Sequence, residues 1–294
     1  MGELIQVLNN PIYAIVVTKG RYKHTHLGVK VGGPADEYAF HIANQLVANT
    51  PYTNMIELNF PHLKLLFSTT ISIAITGAKC EASVNNESIN MWQTIDMKAG
   101  DTLNIGKFIT GLRVYIAFAN GLDIPYKTQI VDDIKLKVKD IFKLRNPKIV
   151  TNKRLKKNLV PKYEDSLTLR VMLSYQHKEF DDTQIKRFFD SKWIVSQQIN
   201  RMGYKLEGEA LKQKKDGIIS QGICFGAVQI PKDGQPIVLL KDRQTIGGYP
   251  IIGVVLDVDC FSLSQTVPST KVKFRQISFK EATAISKKFY SHFL

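Results

Sequence analysis

Short apolar stretches separated by turn residues recur along most of the chain. The stretch IYAIVV at 12–17 is apolar and β-branched and lies between Asn-Pro and Lys-Gly. ISIAITG at 71–77 alternates and ends at a glycine, and TGLRVYIAFANG at 110–121 is a longer apolar stretch. Strand-length segments bounded by turns at this density favour β-sandwiches or β-barrels. We therefore expect a mainly β protein with a few short helices.

One early segment has helical periodicity instead. Residues 32–49 carry their apolar side chains at helical spacing on one face: Ala39, Ile42, Ala43, Leu46 and Val47. Pro34 suits the first helical turn, and Asp36 suits the positive end of the helix dipole. Asn49 and Pro51 suit the end of the helix. The sequence thus predicts one helix inside a β-rich neighbourhood.

The second half of the chain again predicts strands, beginning with SLTLRVML at 166–173. Two short helices are expected there, at 181–191 and 277–290. The second begins with Ser278 and Glu281 at capping-box spacing. Between the two β-rich halves, the strand pattern disappears. We expect an N-terminal domain over 1–125, a basic linker or exposed loop over 126–165, and a C-terminal domain over 166–294.

Composition narrows the class of protein. The chain has 294 residues, 44% of them hydrophobic, and a formal net charge of +14. Its basic residues concentrate in 135–157, which holds ten Lys or Arg against one Asp and few aromatic residues. This favours a solvated segment over a nucleic-acid site. No apolar stretch is long enough to span a membrane and no signal peptide is visible, so we expect a cytoplasmic protein.

The positions of the cysteines and histidines do not predict a metal site. Cys80, Cys224 and Cys260 are far apart and in no metal-binding spacing, which favours a reducing compartment. His24 and His26 would share one face of a strand and meet a metal there. No third ligand is evident, so we expect exposed histidines and no metal.

Two glutamines mark the segment GAVQIPKDGQPIVLL at 226–240. Its Pro-Lys-Asp-Gly sequence predicts a turn that joins two apolar strands into a hairpin. Gln229 lies inside the first strand and needs a hydrogen-bond partner if it is buried. Gln235 precedes the second strand. A plain hairpin explains the turn but not both glutamines.

Polar and charged residues follow that hairpin directly, in KDRQTIGGYP at 241–250. Arg243 provides a forked cation, and Gln244 and Thr245 provide neutral donors and acceptors. Asp242 is suited to orient Arg243 or to act as a base. So many ligand-binding groups in ten residues favour a binding site over a structural turn.

The end of the same segment is suited to close contact with a ligand. Gly247 and Gly248 allow close approach of the backbone or an anion-binding nest of N–H groups. Tyr249 can stack on a flat ligand or donate a hydrogen bond. Upstream, Arg201 in NRMGYKLEG at 200–208 either binds a carboxylate or phosphate or lies on a surface turn, and the motif alone leaves both open.

These motifs resemble a known family. The segments PADEYAFHIANQLVAN, NRMGYKLEG and above all GAVQIPKDGQPIVLLKDRQTIGGYP are similar to the KipA-like, allophanate-hydrolase-subunit-2-like carboxyltransferase family, which includes the C subunits of bacterial 5-oxoprolinase. The resemblance extends over nearly the whole chain. It implies cyclophilin-like barrel architecture, a KipI-like B subunit as partner and a LamB/YcsF-like A subunit that completes the oxoprolinase.

The leading hypothesis from this resemblance is a subunit of an ATP-dependent 5-oxoprolinase, which cleaves 5-oxo-L-proline to L-glutamate. A lactam amide is a poor electrophile, so coupling to ATP with Mg²⁺ in the assembled complex makes chemical sense. The implied catalytic residues are Arg201, Asp242 and Arg243, with Asp242 positioning Arg243. The implied substrate-binding residues are Pro34, Asp36, Gln229, Gln235, Gln244, Thr245, Gly247, Gly248 and Tyr249.

Two alternatives stay open because the chain departs from the family pattern. After GLDIP, the family's small-residue loop with its arginine is replaced by YKTQIVDDIKLKVKD at 126–140, and a family arginine is Lys205 here. One alternative is the carboxyltransferase half of a biotin-dependent urea carboxylase or allophanate hydrolase system. The other is a non-catalytic KipA-like antagonist of a KipI-like kinase inhibitor.

Overall fold

The computed structural model describes residues 3–125, 133–214 and 217–293. The chain forms two compact units. Unit 1 comprises Met1–Gly20 and Asp36–Tyr163, and unit 2 comprises Arg21–Ala35 and Glu164–Leu294. Both are rich in strands, which confirms the prediction of a mainly β protein with few helices.

In its described residues, unit 1 is built on one extended sheet and one α-helix, α1 (Glu37–Leu46). Its strands are β1 (Leu4–Val7), β2 (Ala14–Val17), β3 (Met55–Leu58), β4 (Leu63–Phe67), β5 (Ile71–Val84), β6 (Glu87–Ser88), β7 (Thr94–Met97), β8 (Thr102–Phe118), β9 (Ile134–Lys135) and β10 (Ile141–Lys143). In the described residues the order is β10-β1-β4-β8-β3-β2-β9, with β5 paired to β6, β7 and β8.

The described part of the basic segment begins at residue 133 and adds two strands to this sheet. Strand β9 pairs with β2, and β10 pairs with β1. These two strands therefore occupy the opposite ends of the strand order. Leu136 and Phe142 are buried, whereas Lys135, Lys137 and Lys143 are exposed. The sequence expectation of a linker or exposed loop over 126–165 therefore differs from the observed grouping, because alternating lysines masked short strands. Residues 126–132 of the altered loop lie outside the described part.

Helix α1 is shorter than the predicted 32–49 and begins at Glu37. Asp36 is its N-cap, and its Oδ1 accepts a hydrogen bond from the Ala39 backbone N–H at 3.1 Å. Pro34 therefore precedes the N-cap and is not in the first helical turn, which corrects that expectation. The predicted apolar face is buried and packs against β5 and β8.

Unit 2 contains a closed barrel, which agrees with the architecture implied by the resemblance. Its strands are β11 (Ser166–Leu173), β12 (Trp193–Ile199), β13 (Gly203–Glu207), β15 (Ala227–Gln229), β16 (Ile237–Leu239), β18 (Ile251–Val255) and β19 (Lys271–Gln276). Their order in the described residues is β11-β18-β15-β16-β13-β12-β19. Strands β11 and β19 pair in parallel and close the barrel. A separate two-stranded ribbon consists of β14 (Gln221–Gly222) and β17 (Ile246–Gly247).

Three α-helices accompany the barrel in the described part of unit 2: α2 (Asp182–Asp190), α3 (Asp257–Leu263) and α4 (Phe279–Tyr290). Helix α2 packs on β19, where Phe188 and Phe274 stack with ring centroids 4.2 Å apart. The capping box of Ser278 and Glu281 is present at the start of α4, as predicted. Helix α3 was not predicted, because seven residues are too few for a clear periodicity. Within the described residues, none of the helices has the length and hydropathy needed to cross a membrane.

Candidate functional site

Arg201 and Asp242 bind each other inside unit 2. Arg201 lies between β12 and β13, and Asp242 lies just after β16. The guanidinium donates from Nη2 to Oδ1 at 3.0 Å and from Nε to Oδ2 at 3.1 Å, and the two side chains are 5% and 6% exposed. The Asp242 backbone N–H also donates to the Arg201 carbonyl at 2.9 Å. This is a buried, bidentate ion pair.

The same pair holds the segment 21–35 against the barrel. Arg201 Nη2 donates to the Gly33 carbonyl at 2.7 Å, and Lys30 Nζ lies 3.0 Å from Asp242 Oδ2. The Gly32 N–H donates to the Lys241 carbonyl at 3.0 Å. Asp242 therefore binds Arg201 and Lys30, which corrects the expectation that it positions Arg243. We call Lys30, Gly33, Arg201 and Asp242 the clamp.

The histidines of the segment do not share a strand face. His24 and His26 lie in a short 3₁₀-helix, Tyr22–Leu27. The prediction of exposure holds for His26, whereas His24 is partly buried. In residues 3–125, 133–214 and 217–293, no group of three or more His, Cys, Asp or Glu is arranged to hold a metal ion.

Arg243 is fixed by backbone carbonyls and not by a carboxylate. Its Nε donates to Ile223 O and its Nη1 to Leu240 O, each at 3.1 Å. Its guanidinium carbon lies 5.9 Å from the centre of the Phe225 ring. Burial lowers the pKa of Arg243, although the side chain still carries its charge at neutral pH. Nη2 makes no hydrogen bond to the described part of the chain, so one edge of the fork is available for an anion or a carbonyl oxygen.

Gln229, Gln244 and Gly247 come together where the ribbon meets the barrel. Gln244 Nε2 lies 3.5 Å from Gln229 Oε1. Gln229 is 2% exposed, and its Nε2 has no hydrogen-bond partner among the described residues. A Cβ at Gly247 would lie 2.9 Å from that Nε2 and 2.6 Å from Ile223 Cδ1. The absence of a side chain at 247 thus allows the ribbon to approach the buried amide.

Three residues outside the predicted motifs extend this polar cluster. The Tyr175 hydroxyl donates to Gln221 Oε1 and accepts from Gln176 Nε2, the latter at 3.1 Å. Gln176 Oε1 in turn accepts from the Ile251 backbone N–H at 2.7 Å. Ile251 is paired with Gln229 between β18 and β15. This chain of hydrogen bonds therefore ends next to Gln229 and Gln244, which we call the amide pair. No local sequence pattern marks these residues, because they are brought together only by the barrel.

The remaining predicted residues of unit 2 lie in different surroundings. Gln235 binds the Gly208 backbone with both ends of its amide, at 2.9 and 3.2 Å, and so fastens one loop to the hairpin. The carbonyls of Thr245 and Gly248 accept from the N–H groups of Ile223 and Ile218, at 3.1 and 2.8 Å. Tyr249 is exposed beside them. Pro34 is buried in the segment held by the clamp.

Asp36 lies in unit 1 in a buried polar network. Besides capping α1, its Oδ2 accepts from the Tyr163 hydroxyl at 3.1 Å, and its N–H donates to the Tyr115 hydroxyl at 2.8 Å. Tyr115 donates to Glu57 at 2.9 Å, and Glu57 lies 3.8 Å from Arg113. Burial raises the pKa of both tyrosines, and nearby carboxylates, Asp36 among them, add to the shift. Glu57 and Arg113 were not singled out from the sequence, because each lies within an apolar strand.

Two open grooves in the structure lie away from the 226–250 motif. One, of about 490 Å³, lies between α2 and β19 and is lined by Phe189, Phe274 and Arg275 among others. The other, of about 610 Å³, lies at the C-terminal end of α1 beside Lys153 and Arg154. The motif carries the specific polar groups, so we base the candidate site on Gln229, Arg243 and Gln244.

Comparison with known proteins decides the family. The family model for the carboxyltransferase domain, subdomain A and B, matches residues 27–276. The chain belongs to this family. The match confirms the resemblance seen in the motifs and includes both the clamp and the amide pair.

The similar proteins fall into two groups, 5-oxoprolinase C subunits and urea amidolyases. The chain is 31% identical over 288 residues to the C subunit of 5-oxoprolinase from Escherichia coli, a match that covers 95% of this chain and 93% of the relative. It is 28% identical over 304 residues to urea amidolyase of Lachancea kluyveri, with 90% of this chain but 16% of that protein covered. The crystal structure of Kluyveromyces lactis urea amidolyase superposes with a TM-score of 0.89 at 24% identity, covering 97% of this chain and 19% of that one. This structural likeness shows a shared fold.

Proposed function

We propose that this chain is the C subunit of an ATP-dependent 5-oxoprolinase that converts 5-oxo-L-proline to L-glutamate. The observation that carries the proposal is the end-to-end match to the E. coli protein, which covers 95% of this chain and 93% of the relative. The chain therefore matches nearly all of that relative. Against urea amidolyase it corresponds to only 16% of the protein.

The proposed partners are a KipI-like B subunit and a LamB/YcsF-like A subunit. ATP and Mg²⁺ belong to the assembled complex in this proposal and not to the residues described here. Asp242 is occupied by Arg201 and Lys30, and no acidic cluster for Mg²⁺ is present in the described ranges. The site residues, two neutral amides and one arginine, fit a carbonyl or a single carboxylate better than a metal-bound triphosphate.

The contribution of this chain is to hold and orient the lactam. The open edge of the Arg243 fork suits the 5-oxoproline carboxylate, since a guanidinium recognises that group directionally. Gln229 and Gln244 are neutral amides that match the carbonyl and N–H of a lactam. Thr245, Gly248 and Tyr249 complete the side of the site formed by the ribbon. Fixing the ring in this way would supply orientation for the chemistry in the complex.

The other predicted residues have supporting tasks in this proposal. Arg201 and Asp242 position the segment 21–35, because their charged groups bind each other and the Gly33 carbonyl. Gln235 fastens the loop at Gly208. Asp36 caps α1 in unit 1. Each would act on the substrate only through the residues that it holds in place.

The direct test is 5-oxo-L-proline-dependent ATP hydrolysis with glutamate detection. The chain is co-expressed with its A-type and B-type partners, and the control complex omits it. Glutamate that forms only with the chain present is the expected result. An intact complex of all three proteins that makes no glutamate would contradict the proposal.

The alternative is a carboxyltransferase that acts with biotin on urea or a similar amide. The urea amidolyase relatives favour it. A ureido carbonyl flanked by N–H groups offers the same acceptor and donors as a lactam, so the amide pair also fits it. Transfer of labelled carboxyl from carboxybiotin to urea, without 5-oxoproline cleavage, would select this alternative.

A non-catalytic role as a KipA-like antagonist rests on the altered segment 126–140. That segment contributes β9 to unit 1 where it is described. Tight binding of a KipI-like partner without turnover of either substrate is the result that would favour this role.

A further inference from the structure

The Gln229 amide is a buried donor with nothing to donate to among the described residues. The side chain is 2% exposed, and its Nε2 lacks a hydrogen-bond partner there. A buried amide N–H without an acceptor costs free energy, so such a group in a folded protein calls for a physical reason. Its own Oε1 faces Gln244 Nε2 at 3.5 Å, which leaves the donor end directed elsewhere.

The donor is covered by the ribbon of β14 and β17. A Cβ built at Gly247 would lie 2.9 Å from Gln229 Nε2, so the Gly247 backbone lies directly against the amide. The ribbon is a two-stranded sheet separate from the closed barrel. Its further backbone bonds include Ile223 N–H to Thr245 O at 3.1 Å and Ile218 N–H to Gly248 O at 2.8 Å.

Apolar burial holds this ribbon at one point, Ile223, which directly follows β14, is 8% exposed and packs with Ala227, Leu239 and Ile251. The other apolar side chains of the ribbon and its flanks are exposed. Ile219 is 93% exposed, Ile246 62% and Tyr249 42%. Two-stranded sheets are marginally stable by themselves, and segments with few buried apolar contacts open at low free-energy cost. The ribbon can thus swing away from the barrel about its anchor at Ile223 while the barrel stays folded.

A side-chain contact fastens the ribbon to the barrel near the covered amide. The Tyr175 hydroxyl donates to Gln221 Oε1 on the ribbon. It accepts from Gln176 Nε2, and Gln176 Oε1 accepts from the Ile251 N–H of β18. Tyr175 is itself exposed, so this hydrogen bond competes with water and is easily broken and remade.

We propose that the β14–β17 ribbon is a cover, fastened by the Tyr175 hydroxyl, and that its opening lets the Gln229 Nε2 donate to the carbonyl oxygen of an amide or ureide ligand. The identity of that ligand as a lactam rests on the proposed function, whereas the cover does not. The carbonyl oxygen is a feature that 5-oxo-L-proline, urea and the ureido ring of biotin share.

The cover is tested by amide hydrogen exchange on the full chain. Tyr175→Phe should speed exchange at the amides of Ile218 and Ile223, which flank the ribbon, by about three- to ten-fold, the factor that one such hydrogen bond is worth. Exchange at Val195 and Leu206, whose N–H groups bind the carbonyls of Thr270 and Pro236 in the barrel, should stay unchanged. Tyr249→Phe is the matched control, since it removes an exposed hydroxyl from the same ribbon.

Equal ribbon exchange in the wild type and Tyr175→Phe would overturn the cover. So would a rise of the same size in the barrel amides, which would indicate general destabilisation, or a rise of the same size in Tyr249→Phe.

The ligand contact is tested by NMR of the glutamine side-chain amides. 5-Oxo-L-proline, urea and biotin are titrated separately, with Gln235 as the internal reference. A shift of the Gln229 NH₂ signals without a shift at Gln235 is expected for at least one compound. No shift with any of the three would overturn the contact. A shift with urea or biotin alone would keep the contact and count against the 5-oxoprolinase proposal.

Discussion

Arg201 and Asp242, separated by 41 residues in the chain, form a buried ion pair with hydrogen bonds of 3.0 and 3.1 Å. The same guanidinium reaches the Gly33 carbonyl at 2.7 Å. One pair of charges thus ties together the β12–β13 connection, the end of β16 and the segment 21–35. Its position makes it a determinant of how unit 2 is assembled.

The first prediction is that breaking this pair destabilises the protein more than removing it. Asp242→Asn leaves the buried Arg201 guanidinium without a carboxylate, which should lower the free energy of unfolding by about 3–5 kcal/mol. Arg201→Met should cost less, because Asp242 keeps its contact with Lys30. The double variant should lose less than the sum of the single variants, because no unpaired charge remains. Urea denaturation of the wild type, the single variants and the double variant gives the coupling energy. Strict additivity would contradict the pairing.

A second prediction concerns the thiol beside Arg243. Partial burial raises the pKa of Cys224, and the positive charge of Arg243 opposes that rise. Arg243→Met should therefore raise this pKa further and slow iodoacetamide labelling of Cys224 near pH 8, because the thiolate is the reactive form. Arg243→Lys keeps a positive charge and is the matched control. Cys80, whose pKa burial raises to about 12, and the buried Cys260 should stay unlabelled in all three proteins. Equal Cys224 labelling in all three would show that Arg243 does not act on the thiol.

The third prediction separates the shape of Arg243 from its charge. Its Nε and Nη1 bind two backbone carbonyls, and the proposed function assigns Nη2 to the substrate carboxylate. A lysine ammonium cannot reproduce this planar arrangement, so Arg243→Lys should reduce 5-oxoproline-dependent turnover of the complex by about ten-fold or more. Circular dichroism and complex assembly report whether the variant is folded. A folded, assembled Arg243→Lys complex with wild-type turnover would remove Arg243 from the site.

Two glycines close together in the chain give the fourth prediction. Gly226 has a φ of +81°, and a Cβ there would lie 2.3 Å from the Val255 carbonyl oxygen. Gly226→Ala should cost at least about 2 kcal/mol of unfolding free energy, because both the left-handed backbone and the backbone overlap are unfavourable. A Cβ at Gly222 meets nothing within 4 Å, so Gly222→Ala is the control and should be near neutral. Thermal unfolding compares them, and equal midpoints for the two variants would refute the steric argument.

The polar residues of the 226–250 motif could be predicted from the sequence more readily than the side chains that they contact. Gln229, Gln244 and Gly247 were placed in one candidate site, and the structure brings them together. Asp242 was expected to pair with an arginine, but Arg201 is the one that it binds. Neighbouring residues in an irregular segment point in different directions, and a motif read along the chain cannot say which distant side chain each one meets.

Other features depended on contacts that no local pattern records. Tyr175 and Gln221 are 46 residues apart, and only closure of the barrel brings the hydroxyl to the amide. The strands β9 and β10 were hidden because lysines alternate with Leu136 and Phe142 in a segment that reads as charged. Long apolar stretches and the capping box of α4 were predictable, since their signals are local.

The last prediction uses Lys205, which stands where the resemblance to the family implies an arginine. Lys205 Nζ lies 2.6 Å from Asp233 Oδ2 in the turn of the β15–β16 hairpin. Burial by itself would raise the pKa of the Asp233 carboxyl, but hydrogen bonds from Lys205 and the Gln235 N–H hold it below its ordinary value of 3.8. A carboxyl with a lowered folded-state pKa stabilises the fold above that ordinary value and loses this contribution as the pH falls through the folded-state pKa. Because Asp233 is half-exposed, the contribution should stay below about 1 kcal/mol.

Lys205→Met should therefore lower stability at pH 7, and the difference from wild type should shrink as the pH falls below about 4. Lys205→Arg is the matched control and should keep the difference small at both pH values, because the cation remains. Urea unfolding at pH 7 and at pH 3 measures both variants. A Lys205→Met deficit that persists undiminished at pH 3 would assign the effect to packing of the lysine stem, and the ion pair would then contribute nothing measurable to the hairpin.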